Sequence, residues 1–223
     1  MNWLSTLLPL AGKAGPQEYF RDSVFVATNP TPGTGIASKA DATSRSATTG
    51  LMNIFNGAKT DGTEPYTIMP VMLRLTAKAA NTSAADFRLS LYLDNINRYS
   101  SGGSAITEVS PRISAVSGFT APTSKATIHF GALTLNAAGS EVLIDSPNVA
   151  EDVMVIDDVS TIWWGVGPQG VGTGSMESAD VVVPPMWIEP GGNLSIHEFA
   201  GSMTADPEFE FTFVYIERDN AQS

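Results

Sequence analysis

Two histidines, His129 and His197, are the side chains of this 223-residue chain best suited to moving a proton near neutral pH. They fall in separate predicted strands. A catalytic triad sets a histidine beside a hydroxyl or thiol nucleophile and an orienting acid. Here there is no cysteine and no G-x-S-x-G elbow to supply the nucleophile. A cupin-type metal site needs histidines clustered on adjacent strands, and the sequence has no H-x-H pair. Each histidine is therefore expected to be a satisfied structural residue. The chain reads as a non-enzyme with no catalytic residue and no cofactor.

Three other patterns carry chemistry in other proteins. Gly165-Val166-Gly167-Pro168-Gln169-Gly170 matches G-x-G-x-x-G. The dinucleotide fingerprint needs a helix to follow it, so that helix N-terminal amides meet the pyrophosphate. Pro168 and the glycines after it predict a glycine-rich loop instead. Asp145, Glu151, Asp152, Asp157 and Asp158 supply the oxygen ligands that calcium favours, without EF-hand spacing. They are weak metal candidates against the plainer reading of an exposed acidic loop. Trp163, Trp164 and Trp187 are the large aromatic features. Neighbours in a strand face opposite sides, so one of Trp163 and Trp164 can pack in the core while the other faces outside, toward a sugar or a protein partner; packing of both in the core under an overlying arm is the equal alternative. Asn81-Thr82-Ser83 and Asn193-Leu194-Ser195 match the glycosylation pattern, which is common by chance.

Charge is distributed unevenly around a net value of −11. Residues 1–125 carry 11 Lys or Arg against 8 Asp or Glu, whereas residues 126–223 carry one, Arg218, against 15. Phosphate contacts need lysine and arginine, so this field argues against direct nucleic-acid binding. It favours solubility, a basic partner or cations. The first eleven residues, MNWLSTLLPLA, are apolar but lack a basic start and are interrupted by Pro9, so no signal peptide is assigned. No stretch reaches the roughly 20 apolar residues of a membrane span, and no membrane partner is expected. A short N-terminal helix or arm docking on a partner is the preferred reading, which makes Trp3 and Leu7 interface candidates.

The elements that must position these groups are predicted to be strands. Met69, Val71, Leu73, Leu75 and Ala77 share one parity, as do Phe87, Leu89, Leu91 and Leu93, and the two runs read as an antiparallel hairpin. Ala126–Asn136 is a strand with Gly131 marking a bulge. Ser160–Val166 and Glu208–Ile216 complete the strong set. In the last, Phe209, Phe211, Phe213 and Tyr215 line one face, while the other turns apolar at Val214 and Ile216. Such a strand passes from one-sided to two-sided burial, as at the centre of an assembly. Weaker strands are expected at Ser23–Ala27, Ser140–Asp145, Val153–Asp157, Pro185–Ile188 and Leu194–Phe199. Glu189–Asn193 is a compact turn, Ser100–Ser104 a flexible loop and Thr48–Phe55 a candidate helix. The fold class is all-β: a sandwich, jelly roll or barrel. Residues 28–65 are rich in small polar residues. Residues 1–65 are read as an extended N-terminal arm and residues 66–223 as the sandwich.

Leu91-Tyr92-Leu93-Asp94-Asn95-Ile96-Asn97-Arg98-Tyr99-Ser100-Ser101-Gly102-Gly103-Ser104-Ala105-Ile106-Thr107 resembles a segment of jelly-roll structural proteins of tailed bacteriophages, where a strand runs into an NRYSSGG loop. The turn Pro190-Gly191-Gly192-Asn193 and the strand Phe209–Arg218 are similar to the closing strands of such capsid-associated proteins. The resemblance covers mainly residues 66–110 and 185–218 and brings no catalytic residues. It implies a jelly-roll-like antiparallel β-sandwich located on the virion, at the capsid surface. It implies a decoration, cement or minor capsid protein that forms a homotrimer on the major capsid protein. Arg98 and Tyr99 of the resembling segment join Trp163, Trp164 and Trp187 as interface candidates. A carbohydrate- or receptor-binding module such as a phage fibre tip is the alternative.

Overall fold

The computed structural model describes residues 23–39, 41–42, 44–58, 66–79, 85–111, 120–150, 154–165, 178–201 and 206–219. Their strands are β1 (Ser23–Thr28), β2 (Ile36–Ala37), β3 (Asp41–Ala42), β4 (Thr49–Asn56), β5 (Tyr66–Ala79), β6 (Ala85–Asp94), β7 (Tyr99–Ile106) and β8 (Glu108–Val109). They continue with β9 (Ala126–Leu135), β10 (Val142–Asp145), β11 (Asn148–Ala150), β12 (Val159–Trp164), β13 (Ser178–Val183), β14 (Asn193–Gly201) and β15 (Glu208–Asp219). A seven-stranded sheet, A, runs β13-β12-β5-β15-β1-β8 with β2 on β15. An eight-stranded sheet, B, runs β10-β6-β14-β4-β9-β7, with β11 on β6 and β3 on β14. The expected all-β sandwich is what the chain forms.

Period-two alternation explains the core. Phe209, Phe211, Phe213 and Tyr215 of β15 point inward from sheet A, beside Leu73, Leu75 and Ala77 of β5. Phe87, Leu89 and Leu91 of β6 and Leu194 and Ile196 of β14 point inward from sheet B. Aromatic pairs join the layers: Phe130 stacks on Phe211 at 4.1 Å and Phe87 meets Phe209 at 5.8 Å between ring centroids. Burying such a side chain is worth roughly 1.5–3 kcal/mol, so this seam dominates cohesion in a chain without disulfides.

Several expectations are corrected. β5 and β6 are not a hairpin: they lie in opposite sheets, and their matching alternation arises because both face one core from opposite sides. Thr48–Phe55 is strand, not helix; Leu51, Met52 and Ile54 are buried within β4, between β14 and β9. The described residues between 23 and 58 are therefore part of the sandwich, with β1 hydrogen-bonded to β15 from Ser23↔Glu217 to Thr28↔Thr212, rather than an arm beside it. The segment before residue 23, with its candidate helix, Trp3 and Leu7, lies outside the described residues. Ser100–Ser104 is not a loop but an exposed stretch of β7 paired to β9. Val153–Asp157 is no strand where described, since 154–158 form a turn, and Pro185–Ile188 contributes a single bridge, Ile188 to Ile68.

The Gly131 bulge is present. Register slips there against both β4 and β7. Its φ is +113°, and a Cβ would sit 2.7 Å from Ile36 Cγ2, so no other residue fits without displacement. At the Glu189–Asn193 turn, Gly191 has φ +78° and Gly192 N–H donates to Glu189 C=O at 2.8 Å. Proline followed by a positive-φ glycine favours a tight turn, here leading into β14.

Candidate functional site

The outer faces of the two sheets differ in kind. Across sheet A, Cα partners form one continuous line: Val182 pairs with Trp163, Trp163 with Met72, Met72 with Val214, Val214 with Val26 and Val26 with Val109. The adjacent line, Ile162, Leu73, Phe213 and Ala27, points into the core, so alternation turns the first line outward. Its ends are open to solvent, with Val182 and Val109 each 52% exposed, and its middle is partly exposed. On one side it is continued by Met69, Ile216 and Val24. On the other it is flanked by Asp180, Thr161, Arg74, Thr212 and Thr28. The six-residue line crosses six strands without an ionisable side chain, in a chain of net charge −11. The apolar change at Val214 and Ile216 read from the sequence belongs to this face.

Sheet B carries a polar network outward and covers it with its own chain. Arg98 is fully buried and is fixed on every side. Nε donates to Asn136 C=O at 2.9 Å, one terminal nitrogen to Glu141 at 2.8 Å and Asp94 at 3.3 Å, and the other to Ala47 C=O at 2.6 Å. Arg45 bonds Glu141 and lies 3.7 Å from the centroid of the Tyr92 ring, which in turn meets His197 edge-on. Asp94 accepts the N–H groups of Asn95, Gly139 and Ser140 at 2.7, 2.9 and 2.8 Å. These backbone donors outweigh the opposing effect of burial, and with the Arg98 charge they hold its carboxyl below the usual range. Glu141 is held low by Arg45 and Arg98 in the same way, against burial. The cluster ties residues 44–48 and 136–141 down onto β14 and β6.

His197 belongs to this cluster. Its Nδ1 lies 2.6 Å from Thr49 C=O, which requires the proton on Nδ1 and leaves Nε2 to accept from the Ser195 hydroxyl at 3.2 Å. Burial, reinforced by the Arg45 charge, pushes the imidazole down to about 4. Ser195 and His197 resemble a nucleophile–base pair in spacing, yet both have 0% exposure, and substrate cannot reach them. His129 stacks on Tyr99 with centroids 3.5 Å apart, and burial lowers its pKa. Both histidines are packed parts of the outer side of sheet B.

The other candidates separate cleanly. Trp164 is core, edge-on to Phe213 at 6.0 Å, and Trp163 is on the outer line, which is the division alternation predicts. Trp187 is 50% exposed, beside the Ile188 bridge. Arg98 is enclosed by its own chain and offers no surface, and Tyr99 is half-buried against His129. Asp145 caps Ser146 N–H, Asp157 pairs with Lys78 at 2.9 Å, and Asp158 accepts Val155 N–H at 2.7 Å. Glu151 and Asp152 lie outside the described residues, and no metal-holding group of three acids or histidines occurs among the described ones. Asn193 is fully buried, with its side chain accepting Arg98 N–H, so the second glycosylation pattern is closed in the fold. Beyond Gly165, the glycine-rich stretch is outside the described residues through 177. Sequence reading missed Met72, Val26, Val182 and Val109 as surface candidates, because only cross-strand register aligns them with Trp163.

No family model, no curated protein and no solved structure matches the chain.

Proposed function

We propose that the chain is a structural protein of a tailed-phage virion, a capsid decoration, cement or minor capsid protein that works by assembly. The observation that carries this reading is the uncharged apolar line across sheet A, since contiguous apolar surface on a soluble protein marks contact faces. The strand winding supports it. Eight strands order as β12-β5-β15-β1 in one sheet and β10-β6-β14-β4 in the other, the double Greek-key path of a jelly roll. In this reading β7 and β9 widen sheet B, and β8 and β13 widen sheet A at its two edges. The choice of a phage head as the partner rests on the similarity of residues 91–107 and 190–218 to capsid-associated jelly rolls, which also implies a trimer bound to the major capsid protein.

Mass photometry of the purified chain, paired with co-sedimentation on empty phage heads, tests the reading. Stable oligomers that pellet with heads are expected. A strict monomer that ignores heads overturns it. Trp187, half exposed, favours one second reading, a carbohydrate- or receptor-binding module at a fibre tip. Glycan-array binding abolished by Trp187→Ala, with no head binding, selects that reading instead.

A further inference from the structure

We propose that two copies of the chain pair face to face through the outer sides of their seven-stranded sheets, about a twofold axis passing between Met72 and Val214. The inference rests on the assembly reading above and names the partner of its apolar face.

Charge comes first. Two molecules of net charge −11 repel each other wherever acidic surface meets acidic surface. The line from Val182 to Val109 carries no charge, so it is a place where copies can approach without that cost. Self-complementarity follows from the order of the residues. A twofold contact sets a surface against its own reverse. Reversing the line puts Val182 over Val109 of the second copy, Trp163 over Val26, and Met72 over Val214. Each large side chain then meets a valine, the large-against-small alternation that lets layers interlock. On the flanking line the same operation sets Arg74 over Thr212 rather than over another Arg74. Asp180, at the end of that line, is carried to the opposite end of the second copy's line and does not meet a second Asp180.

Size is consistent. Six strands spaced ~4.8 Å apart make a line ~24 Å long, and three neighbouring lines span ~20 Å along the strands. That footprint of about 500 Å² is flat, and side-chain relief raises its accessible area toward the ~800 Å² per partner of a stable pair. Apolar residues fill the middle and one flank, while Arg74, Thr212 and Thr28 form a polar border on the other, as in known contact surfaces. Sheets packed this way lie ~10 Å apart, the spacing already used inside the sandwich.

The chain has no cysteine, so one introduced thiol reports one position. Met72→Cys treated with a short bis-maleimide should give covalent dimers, whereas Thr134→Cys, exposed on the outer side of sheet B, should stay uncrosslinked. Val182→Lys, at a half-exposed edge position that folding tolerates, should raise the dissociation constant of the pair at least tenfold. Dimers, or hexamers built from such pairs, support the inference. A trimer that binds heads but gives no crosslink at residue 72 overturns the pairing and leaves the assembly reading standing. A strict monomer overturns both. A crosslink within one chain between Met72→Cys and Leu4→Cys assigns the face to the chain's own N-terminal segment and overturns the pairing.

Discussion

Both sheets have an outer side, and the two are finished in opposite ways. On sheet B, segments 44–48 and 136–141 of the same chain lie over the strands, held by Arg98, Arg45 and Glu141. On sheet A, a line of Val, Trp and Met faces outward with open ends. Buried polar groups are stable only when each finds its partner, so they suit a cover whose position the chain itself fixes. Apolar side chains gain from any close contact, so they suit a cover that arrives from elsewhere. Polar character, in this molecule, goes with the part of sheet B that its own chain covers.

The strongest way to break this contrast is Arg98→Met. It leaves Asp94 without its buried counter-charge and Glu141 with Arg45 alone, and removing one partner of a buried pair costs ~3–5 kcal/mol. Urea denaturation should show this loss, with self-association by the surviving folded fraction unchanged. Next is pH. His197 is held near 4 in the fold and titrates at its ordinary value when unfolded. As pH falls below that ordinary value the unfolded chain takes the proton first, so stability declines down to about 4, by up to about 3 kcal/mol. The low carboxyls of Asp94 and Glu141 add a loss in the same direction on further acidification. Glu108 and Glu217, raised by burial, act oppositely and gain stability as pH falls. Urea midpoints for the wild type and His197→Gln between neutral pH and pH ~4.5 isolate the histidine contribution, because the variant loses that part of the acid sensitivity.

Smaller effects sharpen the other side. Val214→Thr, near the middle of the apolar line, should cost the isolated chain under ~1 kcal/mol of unfolding free energy while weakening self-association measured by sedimentation. Smallest of all is Asp157→Asn. Asp157 holds φ +71° in the turn after the exposed Val155 and Ile156, and asparagine tolerates that region equally well. Only an exposed ion pair with Lys78 is lost, which water and salt screen, so the thermal midpoint should barely move.

Alternation made the inward faces of β5, β6 and β15 legible, down to Phe209, Phe211, Phe213 and Tyr215. It could not say which strands are neighbours, and so β5 and β6 were expected to pair when they face each other across the core. β4 escaped because its two faces are both buried: Leu51, Met52 and Ile54 sit with Asn53 and Asn56, which hides the period of two. Asn56 is buried because it donates to the carbonyls of Tyr66 and of Ile188, the latter far away in sequence. The candidate surface was half legible. Trp163 and Val214 could be singled out by alternation, but their alignment with Val182 and Val109 depends on register, which local sequence does not encode. Arg98 looked like a surface group because arginine usually is one; the residues that enclose it, Ala47, Asn136 and Glu141, are distant in the chain.

The pairing of β1 with β15 has a consequence for how the molecule is made. Sheet A joins Ser23 to Glu217, so its centre closes only when both of these distant segments are present. Contacts so distant in sequence are slow to form, because loop-closure entropy is spent before they return any stabilisation. On a ribosome, β5 and β1 must wait for β15, which follows them in the chain by more than a hundred residues. The outward line acquires its central member, Val214, at the same moment. Chains in which β15 is not yet made therefore lack the complete outward line, and the proposed pairing could not form through it.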